Sequence, residues 1–191
     1  MSKNISIYQD RYLLHQERKK KSLMGKYKKE VKYTKKEIEI VKKVFNNRKS
    51  SRVFNGDIVC KKDIDEVLKM VETSPSSCNR KGVKYKIIEN REDKEILSGL
   101  LVGGIGWVHR ANKIILLYTD MEAYKSPVEK DFMPYLDAGV LIQSFYLACE
   151  VIGLKVCCVN PNIREENKYF FNKRFFANVD YKFLSAIIIG K

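Results

Sequence analysis

Met133-Pro134-Tyr135-Leu136-Asp137-Ala138-Gly139-Val140-Leu141-Ile142-Gln143-Ser144-Phe145-Tyr146-Leu147-Ala148-Cys149-Glu150-Val151-Ile152-Gly153 is the longest periodic stretch of the chain, and Lys155-Val156-Cys157-Cys158-Val159 follows it almost at once. Leu136, Val140, Leu141, Phe145, Leu147, Ala148 and Val151 recur at helical spacing, with small residues Ala138 and Gly139 between them. Such a helix is apolar nearly all round, which suits a buried central or interface position. Gly153 stands where a left-handed C-cap would stop it. The five residues from Lys155 read as a strand, so this core joins helix to strand.

Reading outward, Thr34-Lys35-Lys36-Glu37 has capping-box spacing, and Ile38, Val41, Val44 and Phe45 continue it as a helix to Asn46-Asn47. Lys62 to Glu72 forms a second helix, with Ile64, Val67, Leu68 and Val71 as its apolar positions, ending before Pro75. Val83–Ile88 alternates as a strand, and Asp93–Leu101 reads as a short helix. Lys113–Tyr118 is a β-branched run suited to a central strand. Arg164–Phe171 is a weaker helix, and Leu184–Ile189 a final buried strand. Two helices followed by alternating strands and helices define an α+β layer architecture. Residues 34–191 form one domain, preceded by a basic extension over 1–33. The polar stretch Glu122–Phe132, between a buried strand and the long helix, is a candidate lid.

The formal charge of +14 is concentrated at one end: residues 1–50 hold 16 Lys/Arg against 5 Asp/Glu, and residues 51–191 hold 21 against 18. Lysine dominates the extension, which fits a solvated face better than a nucleic-acid arm. No paired Cys/His ligands and no RNP-like aromatic strand support nucleic-acid binding. The cysteines Cys60, Cys78, Cys149, Cys157 and Cys158 lack C-x-x-C spacing, which points to free thiols in a cytoplasmic setting. No metal-ligand spacing, signal peptide or membrane span is apparent. Gly103-Gly104-Ile105-Gly106 follows a helix rather than a strand, so it reads as a permissive loop and not a dinucleotide fingerprint. His15 and His109 each stand without an identifiable Ser or Cys partner, which argues against a hydrolytic triad.

Two polar segments flank the second helix. Arg48-Lys49-Ser50-Ser51-Arg52, followed by Val53-Phe54, sets cations around a hydroxyl and suits a phosphate. Ser74-Pro75-Ser76-Ser77-Cys78-Asn79 is a turn that offers amides to a polar heterocycle. Either segment alone is ordinary: cations complement a helix C-terminus, and serines populate loops. Their joint occurrence suggests a flavin mononucleotide site.

With Arg48, Ser50, Arg52 and Phe54, the Ser74–Asn79 turn, Asp137-Ala138-Gly139 opening a long helix, and Gly153-Leu154 before a strand, residues 34–191 resemble the nitroreductase-like FMN-dependent oxidoreductase family. The resemblance implies a nitroreductase-like α+β fold, with a central, mostly antiparallel sheet flanked by helices and a homodimer formed through the long helix. It implies FMN as cofactor and NAD(P)H as electron donor, with a nitroaromatic, quinone or related small molecule as acceptor. The flavin carries the chemistry, so no side chain is expected to be catalytic. Arg48, Lys49, Ser50 and Arg52 would bind the phosphate, ribityl and pyrimidine edge. Pro75 and Ser76 would line the ring from the partner subunit. Asn79 would face the polar edge, Lys81 the flavin or substrate, and Val159-Asn160 the N5 position.

The sequence departs from the family in three places. Arg80-Lys81-Gly82 replaces the usual Gln-Pro-aromatic continuation, Asn160 stands where a glycine is usual, and the last strand leads to Gly190-Lys191 rather than into a basic tail. The N-terminal extension would then embrace the partner in place of that tail. The alternative is a binding or scaffold protein of the same fold without the redox cycle; a third reading is a specialised family member acting on a biosynthetic or halogenated substrate.

Overall fold

The computed structural model of the chain describes residues 31–176 and 181–191. The residues group into two units, 1–39 and 40–191, with the border inside the first helix. Residues 1–30 of the basic extension, and with them the proposed embrace, lie outside the described residues.

Helix α1 (Lys35–Asn47) begins on the anticipated capping box. The Glu37 carboxylate accepts from the Thr34 amide at 2.7 Å, and the Glu37 amide donates back to the Thr34 hydroxyl at 3.3 Å. That pair holds the Glu37 carboxyl below its usual range, chiefly through the Thr34 hydroxyl. The helix buries none of its residues, so Ile38, Val41 and Phe45 remain exposed. Then follow α2 (Lys61–Glu72), β1 (Val83–Ile88), α3 (Arg91–Leu100), β2 (Lys113–Asp120), α4 (Pro127–Ile152), β3 (Lys155–Val159), α5 (Glu165–Phe175) and β4 (Tyr181–Gly190).

The four strands form one sheet in the order β1-β2-β4-β3, with every neighbouring pair antiparallel. Alternation along β2 and β4 divides the core between the two faces of this sheet. Ile115, Leu117, Ile187 and Ile189 join Val67, Val71, Phe145 and Cys149 beneath α2 and α4. Ile114, Leu116, Ala186 and Ile188 join Leu97, Leu101, Phe171 and Phe175 beneath α3 and α5. Both faces are covered, which is why β2 and β4 read as continuous apolar runs.

The long helix starts earlier than its periodicity indicates. Ser126 accepts from the Glu129 amide at 3.1 Å, and Pro127 follows at the first helical position. Ser126-Pro127-Val128-Glu129 is a capping box with an N1 proline, so residues 127–132 are helix rather than lid. At the other end Gly153 takes φ +79°, and its amide reaches the Cys149 and Glu150 carbonyls, as a left-handed cap requires. By length and composition α4 could cross a bilayer; here it packs against α2, β3 and β4 as a core helix.

Candidate functional site

The Arg48–Arg52 arm leaves α1 and runs beside the free edge of β3. Ser50 forms a parallel bridge with Val156, and the Ser51 amide donates to the Val156 carbonyl at 2.9 Å. Further along, the Asn55 amide donates to the Lys191 carbonyl at 2.7 Å, and the Phe54 ring lies over Gly190, where an added Cβ would come within 2.5 Å of it. These contacts fix the arm from Ser50 to Asn55 along the sheet edge.

A residue absent from the motif completes this attachment. Tyr146, on α4, has 8% of its surface exposed, and its hydroxyl meets Ser50 Oγ at 2.9 Å while accepting from the Cys158 amide at 2.9 Å. The Arg48 guanidinium lies over the same ring, 5.1 Å from its centroid. The Arg52 guanidinium lies 6.0 Å from the Trp107 ring, which stacks on Phe54 at 6.3 Å. Among the described residues, Arg48, Lys49 and Arg52 have no carboxylate partner. Stacking on a ring leaves the in-plane N–H donors of a guanidinium free.

Trp107 also connects the arm to the end of β3. Its indole N–H donates to the Gly103 carbonyl at 3.1 Å, and a Cβ on Gly103 would lie 3.4 Å from Val159 and 3.7 Å from Asn160 Nδ2. Val159 is buried with its carbonyl taken by Ser185 at 2.9 Å, whereas Asn160 is exposed and accepts from the Asn162 amide. Burial pushes the Cys157 thiol up, partly opposed by Arg52, and raises Cys158 as well. Both are packing residues in the reduced form.

The Ser74–Lys81 turn is fastened to the opposite flank of α4. Ser77 donates its amide and hydroxyl to one oxygen of buried Asp137, at 2.9 and 2.8 Å, and Tyr124 donates to the other at 3.0 Å. Ser74 donates to Ser144 at 2.7 Å, Arg80 pairs with Glu129 at 2.8 Å, and Ser76 Oγ accepts from the Lys81 amide at 2.9 Å. Cys78, Asn79 and Lys81 all take positive φ, an uncommon backbone for side-chain-bearing residues. The Lys81 ammonium donates to the carbonyls of Glu72 and Ser74, capping the end of α2. Pro75 and Asn79 stay exposed, and Asn79 has no side-chain hydrogen bond among the described residues. Beside the turn is a cleft of about 520 Å³ lined by Val71, Pro75, Ser76, Val83, Tyr85 and Leu141, and by no residue of the arm.

Asp137 and Tyr146 are nine residues apart, so they sit ~14 Å apart along the axis of α4 and roughly half a turn from each other around it. Within one chain the turn and the arm therefore flank the helix on opposite sides. The helix face between these flanks carries Leu136, Val140 and Val151, all exposed, in a stripe opposite Phe145 and Cys149.

His109 proves to have a partner: Ser98 Oγ lies 3.1 Å from its Nδ1 and accepts from the Gly106 amide at 3.2 Å. Eleven residues separate the two in sequence, and the contact staples the glycine loop onto α3. Only Gly106 of that loop has positive φ; Gly104 is needed because a Cβ would strike Val108 at 2.6 Å. Among the described residues no group of His, Cys, Asp and Glu is placed to hold a metal.

Residues 103–191 match the model of the nitroreductase family. A curated relative, FMN reductase [NAD(P)H] of Bacillus subtilis (strain 168), is 26% identical over 130 residues; the match takes in 61% of this chain and 51% of the relative. The chain thus spans about half the length of the curated relative it matches. Among solved structures, an FMN-dependent nitroreductase from Clostridium difficile R20291 superposes with a TM-score of 0.67 at 22% identity, over 77% of this chain and 84% of that one. A nitroreductase family protein from Streptococcus pneumoniae TIGR4 gives 0.68 at 16% identity, over 78% and 88%. The fold is that of the nitroreductases.

Proposed function

We propose that this nitroreductase-like chain is an FMN-dependent NAD(P)H oxidoreductase. The observation that carries the reading is the pair of guanidinium groups, Arg48 and Arg52, held over aromatic rings without a carboxylate partner among the described residues. Two unneutralised forks on a fixed arm form a donor set suited to a phosphate dianion. Ser50 and Lys49 add a hydroxyl and an ammonium on the same arm. The family match and the names of the similar proteins supply the flavin part of the reading.

A flavin held there would supply hydride-transfer chemistry between NAD(P)H and a nitroaromatic, quinone or related acceptor. The chain's own residues bind and orient it. Arg48 and Arg52 hold the phosphate end. Val159-Asn160, reached from Arg52 through Trp107 and Gly103, supplies backbone beside the ring. Pro75, Ser76 and Asn79 offer a wall in which the Asn79 amide has no partner among the described residues. Lys81 acts through the turn, because its ammonium is committed to the Glu72 and Ser74 carbonyls.

The site calls for two chains. Arm and turn lie on opposite flanks of α4, and the exposed apolar stripe between them fits a second copy of the same helix. A two-fold axis through that stripe brings the turn of one subunit beside the arm of the other. We therefore read the protein as a homodimer. The free cysteines suit a cytoplasmic setting.

The test is the visible absorption spectrum of gently purified protein, before and after adding FMN. The expected result is a bound-flavin spectrum that bleaches on addition of NAD(P)H. Protein that neither retains nor rebinds flavin sinks the reading and leaves a binding protein of the same fold.

A further inference from the structure

Position 146 lies between Phe145 and Leu147 on a core helix and is 8% exposed, yet it carries a hydroxyl. A buried phenol needs partners, and this one has two from different parts of the fold. Among the described strands β3 has a neighbour, β4, on one side alone, so its outward-facing groups must be satisfied from the other side. Val156 finds the Ser51 amide, and Cys158 finds the Tyr146 hydroxyl. The phenol thus takes over the strand edge where the arm leaves it, and the same hydroxyl holds Ser50 at 2.9 Å. Its ring supports the Arg48 guanidinium at 5.1 Å without occupying the in-plane donors. A carboxylate in that position would have cancelled the charge and consumed those donors.

We infer that Tyr146 is a positioning residue for the phosphate group of the cofactor: it presets Ser50 and Arg48 as an open anion fork, and so makes the chain select a flavin bearing a terminal phosphate over one without it. This rests on the flavin reading above. Tyr146 does not touch the reacting ring; it acts through Arg48 and Ser50.

The experiment compares FMN with riboflavin, which shares the isoalloxazine ring and the ribityl chain but lacks the phosphate. Full-length wild type, Tyr146→Phe and Tyr146→Leu are titrated with each flavin by fluorescence quenching, and thermal melts of each variant check that it is folded. Tyr146→Phe keeps the ring and loses the hydroxyl, and Tyr146→Leu loses both. The expected result is a fall in FMN affinity of about threefold to tenfold for Tyr146→Phe and more than tenfold for Tyr146→Leu, with riboflavin affinity unchanged within about twofold. If FMN and riboflavin weaken together, or neither changes in folded variants, the positioning role is overturned while the flavin site stands. If Tyr146→Leu does not fold, Ser50→Ala replaces it as the second variant and must show the same phosphate-selective loss. Wild type that binds neither flavin overturns the functional reading itself, and this inference with it.

Discussion

Ser77 donates twice to a single oxygen of Asp137, through its amide at 2.9 Å and its hydroxyl at 2.8 Å, while Tyr124 holds the other oxygen at 3.0 Å. One buried carboxylate thereby joins the turn, the loop before α4 and the helix itself. Asp137→Ala leaves those three donors without their acceptor. Its expected cost is about 3 kcal/mol, from hydrogen bonds to a charged group lost in a buried site. Urea unfolding of the two proteins measures it; a difference below about 1 kcal/mol would mean that the turn is held by other ties.

Tyr124 and Asp137 also set an alkaline limit. Burial, and then the Asp137 carboxylate, push the Tyr124 phenol up from 10.0 to about 12. The folded state keeps this proton where the unfolded chain releases it, so the contribution is complete below pH 10 and is lost as pH rises towards 12. The stability gap between wild type and Tyr124→Phe should therefore narrow over that window, by on the order of 2 kcal/mol. A gap constant from pH 8 to 12 would contradict the shift.

Arg48→Ala removes a charge-assisted contact from the proposed phosphate fork. FMN affinity should fall by about 1.5–3 kcal/mol. Unchanged flavin retention in that variant would tell against the phosphate assignment.

Val140→Lys places a charge in the exposed stripe of α4. If the stripe is the dimer contact, sedimentation should show the wild-type dimer converted to monomer, with flavin lost together with the partner's turn. A variant that sediments like wild type would put the interface elsewhere.

Gly190→Ala forces a Cβ to within 2.5 Å of the Phe54 ring. The expected destabilisation is about 1–3 kcal/mol, as for other overpacked sites. Adding Phe54→Ala should recover part of it, and a thermal melt of the double variant gives the answer.

The order of helices and strands was legible because most of the elements carry their own signals. Thr34-Lys35-Lys36-Glu37 starts α1, the alternation in Val83–Ile88 makes β1, and Gly153 closes α4. The start of α4 was missed because the polar residues after Ser126 masked periodicity, although the capping box was present. Strand β4 runs from Tyr181, three residues before its apolar run, because its opening residues are held by pairing with β2 rather than by burial. The arm and the turn were visible as local polar patterns. Tyr146 was not: in sequence it is one more large residue in an apolar helix, and only the path of β3 past it gives its hydroxyl a purpose. The contact of Ser98 with His109 was hidden for a similar reason, since it depends on how the glycine loop folds back.

The pairing of Ser50 and Ser51 with Val156 also bears on solubility. Strand β3 has the sequence Lys-Val-Cys-Cys-Val, and among the described strands it has a neighbour, β4, on one side only. An open strand edge of that composition is a template for another chain; the arm shields it through the bridge at Val156, and Tyr146 of α4 covers the Cys158 amide. A ligand that tightens the arm would also keep this edge closed, so the unliganded protein, and any variant with a loosened arm, should be the form that precipitates first in storage.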